Sequence, residues 1–154
     1  MIALIWGLMT PAQQVEKLAP FINDKRQARI EEVLAKRLPS IQLDIEHPSD
    51  INNALAAVRT AEAWGGSKMH IICPEGHAAS ARIITQGAFY WVELAFYESL
   101  EQFLVYVKDQ QLKLAGGALA EPERQIELLQ VPIDKPVCLL LGNEQRGLSQ
   151  QAKQ

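Results

Sequence analysis

An α/β fold with a mainly parallel sheet flanked by helices is what the sequence predicts, on three observations. From Ile41 onward, short apolar runs alternate with helical segments. The runs are closed by proline or glycine, as at Pro74, Gly116-Gly117 and Gly142. The last run, Val137–Leu141, is apolar throughout, the pattern of a strand covered on both faces. In such sheets ligands bind beyond the carboxyl ends of the strands. The loops 47–53, 74–77, 116–119 and 142–148 are therefore where function is to be sought.

Taken in order, residues 2–9 form an apolar run. Thr10 is a predicted N-cap with Pro11 in the first turn, which starts a short helix over 11–21, interrupted near Pro20. Asn23-Asp24 opens a second helix that runs to about Leu38 and stops at Pro39. Ile30, Val33, Leu34 and Leu38 share one of its faces. Ile41–Glu46 reads as the first strand. Ser49-Asp50 caps a helix over 51–64 that ends at Gly65-Gly66. Met69, Ile71 and Ile72 mark a strand over 68–73. A helix over 78–85 and a strand over 90–95 follow. Ser99 caps a helix containing 100–107, and a strand over 112–115 ends at Gly116-Gly117. After Val137–Leu141, the residues past Ser149 read as the first turns of a helix.

The 154 residues suit one main core, and 48% hydrophobic with 21% charged residues excludes a disordered or coiled-coil chain. The uncharged stretch 1–15 is broken by Gly7 and Pro11 and is too short to span a bilayer. No basic segment precedes it, so a secretory signal is not expected. A net charge of −3 argues against bulk adhesion to nucleic acid and requires a local basic patch for any such binding. Cys73 and Cys138 sit in apolar runs without metal spacing. They read as reduced core residues of a cytoplasmic protein. His47, His70 and His77 form no ligand pattern, and His70 alternates with apolar neighbours as a structural residue does.

One local patch stands against the acidic average. Lys25, Arg26, Arg29, Lys36 and Arg37 project within an arc of roughly 120° on the second helix. That arc suits RNA phosphates, and it suits an ordinary amphipathic helix as well. Asn53 lies near the amino end of the next helix, where backbone N–H groups favour an anion or a simple cap. By spacing alone, Arg59 is a solvated helix residue, Glu144 a loop carboxylate and Gly117 a turn glycine.

Two segments say more as patterns. Asn53 is followed six residues later by Arg59, then by Thr60-Ala61-Glu62-Ala63-Trp64-Gly65. The apolar strand 139–141 runs into Gly142-Asn143-Glu144-Gln145-Arg146-Gly147-Leu148-Ser149. In this order and separation they resemble the first and second motifs of the SpoU–TrmH family over roughly residues 24–154. These are RNA ribose 2′-O-methyltransferases with the trefoil-knotted SPOUT fold. The basic helix looks like that of the tRNA-specific branch, which methylates a guanosine in the D-loop. Leu55 departs from the pattern, which has a small residue there.

The resemblance implies a SPOUT-type domain over 39–154 behind a helical extension over 1–38. It implies S-adenosylmethionine-dependent 2′-O-methylation of a ribose in tRNA or rRNA by a homodimer, with no metal and no membrane. Arg59 then activates the 2′-hydroxyl, by electrostatic stabilisation at least as much as by base catalysis. Asn53 and Glu144 shape the catalytic site, Glu144 by pairing with an arginine. Gly117, Leu141 and Gly142 contact the cofactor, and Lys25, Arg26, Arg29, Lys36 and Arg37 contact RNA. The family's third motif, a proline-containing strand with a Ser-Leu-Asn run, has no counterpart here. The knot-forming segment and a complete cofactor pocket are therefore expected to be missing, and the chain by itself is expected not to turn over. A non-catalytic RNA-binding or dimerisation module on the same scaffold is the alternative, with an unrelated nucleotide-binding α/β protein behind it.

Overall fold

A computed structural model describes residues 9–74, 84–118 and 125–154. The chain divides into two compact units, Met1–Arg37 and Leu38–Gln154. In the first, Thr10 caps α1 (Pro11–Leu18). Its side chain accepts from the Gln13 N–H, and the Gln13 side chain accepts from the Thr10 N–H. This reciprocal pair satisfies two otherwise free donors. Pro20 lies in the 3₁₀ turn Ala19–Phe21 that follows. Asn23 caps α2 (Asp24–Ala35) through the Arg26 N–H. α2 stops three residues before the predicted Leu38. Leu38 precedes a proline and is pushed out of helical geometry, and its N–H bonds to the Gly65 carbonyl instead (2.7 Å).

The second unit is built on β1 (Ile41–Glu46), β2 (Lys68–Ile72), β3 (Glu93–Tyr97), β4 (Lys113–Gly117) and β5 (Val137–Leu141). All neighbours pair in parallel, in the order β3-β2-β1-β5-β4. α3 (Ile51–Ala63) lies between β1 and β2, and α4 (Leu100–Asp109) between β3 and β4. The connection after β3 crosses to the far edge, so strand order reverses between β1 and β5. At that reversal, loops leave the sheet in opposite directions and a crevice opens.

The predicted strand over 90–95 begins at Glu93, because Ala88–Tyr90 form a 3₁₀ turn. Gly116 and Gly117 end inside β4, paired with Leu140 and Leu141. The predicted helix over 78–85 lies largely outside the described residues. Among the described residues, no helix is long and apolar enough to cross a membrane.

Period-two alternation gives the sheet two unlike faces. Leu43, Ile45, Met69 and Ile71 pack with Leu55 and Val58 of α3. Leu55 is fully buried there. On the other face Ile72, Cys138 and Leu140 pack with Phe103 and Val107 of α4. That second face also carries Gln42, Asp44 and Glu46 of the central strand, all buried. Gln42 Oε1 accepts from His70 Nε2 (2.7 Å) and from the Tyr106 hydroxyl (3.2 Å). His70 Nδ1 then accepts from the Tyr97 hydroxyl (3.2 Å). Both ring nitrogens are satisfied in the neutral state, and burial lowers the His70 pKa to about 4. His70 is structural, as its alternation with apolar neighbours predicts.

Among the described residues, Asp44 has no hydrogen-bond partner on either carboxyl oxygen. Burial, reinforced by Glu46, pushes its pKa up to about 8. It stays protonated in the folded chain well above its ordinary value of 3.8. Unfolding in that window releases a proton, so stability falls as pH rises, by up to about 1.4 kcal/mol per pH unit. His70 has the opposite sign: its contribution is lost as pH drops from 6.5 towards 4. The two oppose each other between those values, leaving Asp44 alone above pH 6.5. Asp44→Asn is expected to remove a stability loss between pH 6.5 and 8, read as the urea midpoint at both values. The same pH dependence in variant and wild type would contradict this account of Asp44.

Candidate active site at the reversal of strand order

The site begins where β1 and β5 end side by side. His47, directly after β1, is in the left-handed region (φ 48°), which turns the chain sharply out of the sheet. Its N–H bonds to the Ile72 carbonyl (2.9 Å). The turn leads through Ser49 to Asp50, which caps α3 by accepting from the Asn52 N–H. Asn53 thus falls in the first turn of α3.

After β5 the chain makes a tight hairpin. A Cβ on Gly142 would lie 2.1 Å from the Gly147 carbonyl carbon, so only glycine fits. Asn143 and Gly147 exchange backbone hydrogen bonds of 3.0 and 2.8 Å, and Gly147 has φ 69°. Asn143 Oδ1 accepts from the N–H groups of Gln145 and Arg146 (2.9 and 3.0 Å). The hairpin closes on Leu148, which is buried against α4. Gly116 leaves room for it: a Cβ there would meet Leu148 Cδ1 at 2.9 Å.

This hairpin is stapled to the β1 loop. Glu144 Oε2 accepts from the Ser49 N–H (2.8 Å) and Oε1 from Asn53 Nδ2 (3.1 Å). Asn143 Nδ2 donates to the His47 carbonyl (2.7 Å) and Ser49 Oγ (2.9 Å). Below, both oxygens of Glu46 hold Ser149, through its N–H (2.8 Å) and its hydroxyl (2.7 Å). The Ser49 N–H, the backbone of Glu144 itself and Asn53 hold the Glu144 carboxyl down at about 2. The resemblance implies an arginine partner for Glu144. Within one chain its partners are Ser49 and Asn53.

The structure therefore brings Asn53 and Glu144 together, 91 residues apart in sequence. It leaves Arg59 apart from that pair. Six residues along α3, Arg59 lies roughly 9 Å further up the helix and is rotated by about 240°. It is exposed, with no side-chain hydrogen bond or ion pair to the described residues. Gly117 and Leu141 are register partners at the exposed ends of β4 and β5, and Gly142 follows directly. A Cβ on Gly117 would come 3.0 Å from Leu141 Cδ2. The predicted RNA-contacting cations belong to the other unit. Lys25, Arg26, Arg29 and Lys36 are exposed and Arg37 is half-buried. Glu32 engages Arg29 (2.8 Å) and Lys36 (2.7 Å) along the helix, exposed pairs that contribute little.

Sequence reasoning missed Glu46, Ser49, Asn143 and Ser149. The alternation of Gln42, Asp44 and Glu46 in an otherwise apolar strand was the available signal. Cys138 is buried as expected, whereas Cys73 is half-buried in the wall of a cleft of about 770 Å³. Glu46, His47, Ser49, Asn143 and Arg146 also line that cleft.

Fold and site together define a parallel α/β domain whose ligand crevice lies at the reversal of strand order, bordered by a stapled polar hairpin. The chain belongs to the SpoU rRNA Methylase family, whose pattern matches residues 40–154. It is 26% identical over 131 residues to the tRNA (guanosine(18)-2′-O)-methyltransferase of Escherichia coli (strain K12), covering 85% of this chain and 56% of that protein. With the Thermus thermophilus enzyme of the same name, identity is 30% over 130 residues, covering 84% of this chain and 66% of that one. The crystal structure of the A. aeolicus TrmH/SpoU tRNA modifying enzyme matches with a TM-score of 0.70 and 28% identity over 84% of this chain and 66% of that one. The Streptomyces viridochromogenes methyltransferase AviRb, solved with AdoMet, shares the fold at a TM-score of 0.61 and 20% identity, over 77% of this chain and 47% of that one. The chain thus spans a little over half the length of the first of these relatives.

If Glu144 fastens the two loops, its removal should expose the Ser49 amide. Amide hydrogen exchange is expected to be at least about tenfold faster at Ser49 in Glu144→Ala, with Glu144→Gln intermediate, since the charged acceptor gives the stronger bond. Unchanged exchange at Ser49 would refute the staple.

Proposed function

We propose that this chain serves S-adenosylmethionine-dependent 2′-O-methylation of a ribose in RNA, with a tRNA guanosine as the acceptor. The observation that carries the reading is the Asn53–Glu144 hydrogen bond, which joins the two family motifs at the crevice where this fold class binds ligands. The family and the names of the tRNA-modifying relatives support the substrate class.

Each group has a role that follows from its chemistry. The Arg59 guanidinium lowers the energy of the alkoxide that forms at the 2′-oxygen as the hydroxyl proton passes to solvent water, acting through its field. Asn53 and Glu144 fix the geometry of the crevice. Gly117, Leu141 and Gly142, which lie together at the ends of β4 and β5 with Gly117 and Leu141 exposed, are the residues that would contact the cofactor. S-adenosylmethionine, when bound, supplies an electrophilic methyl group. In-line approach of the 2′-oxygen is then a matter of positioning. Lys25, Arg26, Arg29, Lys36 and Arg37 grip RNA phosphates from the helical extension over 1–38, while 39–154 forms the methyltransferase domain. The assembly is a homodimer, and a cytoplasmic setting suits both the tRNA substrate and the free thiols.

The test is transfer of a labelled methyl group to an unmodified tRNA transcript, by the chain extended after Gln154 with a segment bearing the family's third motif. The expected product is an alkali-resistant dinucleotide bearing 2′-O-methylguanosine. Arg59→Ala is expected to lower the rate at least about 100-fold with tRNA affinity nearly unchanged. A methylated base, or full activity in Arg59→Ala, would contradict the reading.

A further inference from the structure

The crevice carries one charge that this scheme does not use. Glu46 is closed by Ser149, and Glu144 by Ser49 and Asn53. Arg146 remains, the one lysine or arginine among the described residues lining the cleft. It is exposed and has no carboxylate within ion-pair distance among the described residues. Its backbone is held rigidly, with its N–H on Asn143 Oδ1 and Gly147 closing the hairpin behind it. A guanidinium fork on a fixed hairpin, with the neighbouring carboxylates already satisfied, is preorganised for an anion that offers two oxygens.

Two such anions are at issue in a methyl transfer to RNA: a backbone phosphate and the carboxylate of the methyl donor. Position favours the first. Among the described residues, the cleft is walled by the loop after β1, by Cys73 and Pro74 and by the hairpin after β5, with no residue of β4. The exposed pair Gly117 and Leu141 lies towards β4, away from β1. We propose that Arg146 holds a phosphate of the RNA backbone beside the ribose to be methylated. This rests on RNA being the substrate, and it is tested by binding, apart from turnover.

The probe is an unmodified tRNA transcript in filter binding over about 50 to 200 mM salt. Arg146→Ala is expected to weaken binding about tenfold at the low end and to lower the slope of log K against log salt by about one. Arg146→Lys should fall between the two, keeping the charge and losing the fork. Lys108→Ala, an exposed cation on α4, should match wild type. S-adenosylhomocysteine binding, followed by calorimetry on the chain extended after Gln154, should be the same with Arg146→Ala and with the wild-type residue. The proposal is overturned by a wild-type chain that binds no tRNA, by an unchanged salt slope, by an equal effect of Lys108→Ala, or by loss of cofactor affinity in its place. Failure of methyl transfer with the slope change intact would remove the methyltransferase reading and leave the phosphate contact standing.

Discussion

One carboxylate ties the carboxyl edge of this sheet together. Glu144 reaches from the hairpin after β5 to the backbone of Ser49 and the side chain of Asn53, spanning the point where strand order reverses. Loops on either side of such a reversal diverge, which opens a crevice and also leaves its walls unsupported. Here the walls are cross-linked. Asn143 adds two bonds to the same β1 loop, and Glu46 holds Ser149 from below. The hairpin that borders the crevice therefore moves with the sheet, and groups mounted on it keep a fixed place. That is the condition a positioning mechanism needs.

The same central strand shows what this arrangement costs. β1 lies in the middle of the sheet, yet it sends Gln42, Asp44 and Glu46 into the layer beneath α4. Gln42 is absorbed by a ring of aromatic and histidine partners, and Glu46 by the hairpin. Asp44, between them, is kept neutral by burial and by the neighbouring Glu46. A strand that must end in a buried carboxylate at the crevice thus carries a polar column below it. Phe103, Leu140 and Val107 surround that column and supply the apolar burial that holds the layer.

Much of this was legible in the sequence, for physical reasons that differ by element. Ile41–Glu46 and Val137–Leu141 are strands as read, the first because apolar and polar residues alternate along it and the second because it is a continuous apolar run closed by glycine. Thr10, Asn23, Asp50 and Ser99 cap helices because their side chains compete for free N–H groups wherever they precede a helical run. The edges of strands were less legible. β3 starts at Glu93 because the preceding residues are drawn into a turn by local hydrogen bonds, and β4 keeps its glycines because pairing with β5 outweighs their poor strand preference. In the site, the residue types of the two motifs were readable, while their partners were not. Contacts between Glu144 and Ser49, or Glu46 and Ser149, join residues about a hundred positions apart, and no spacing rule reaches that far.

The account stands most directly on the coupling between Asn53 and Glu144, and a double-mutant cycle on thermal stability measures it. Asn53→Ala, Glu144→Ala and the pair would be compared by melting temperature. The double variant is predicted to melt no lower than the worse single variant, because each substitution already breaks the shared bond. Losses that simply add would show that the two motifs do not hold one another.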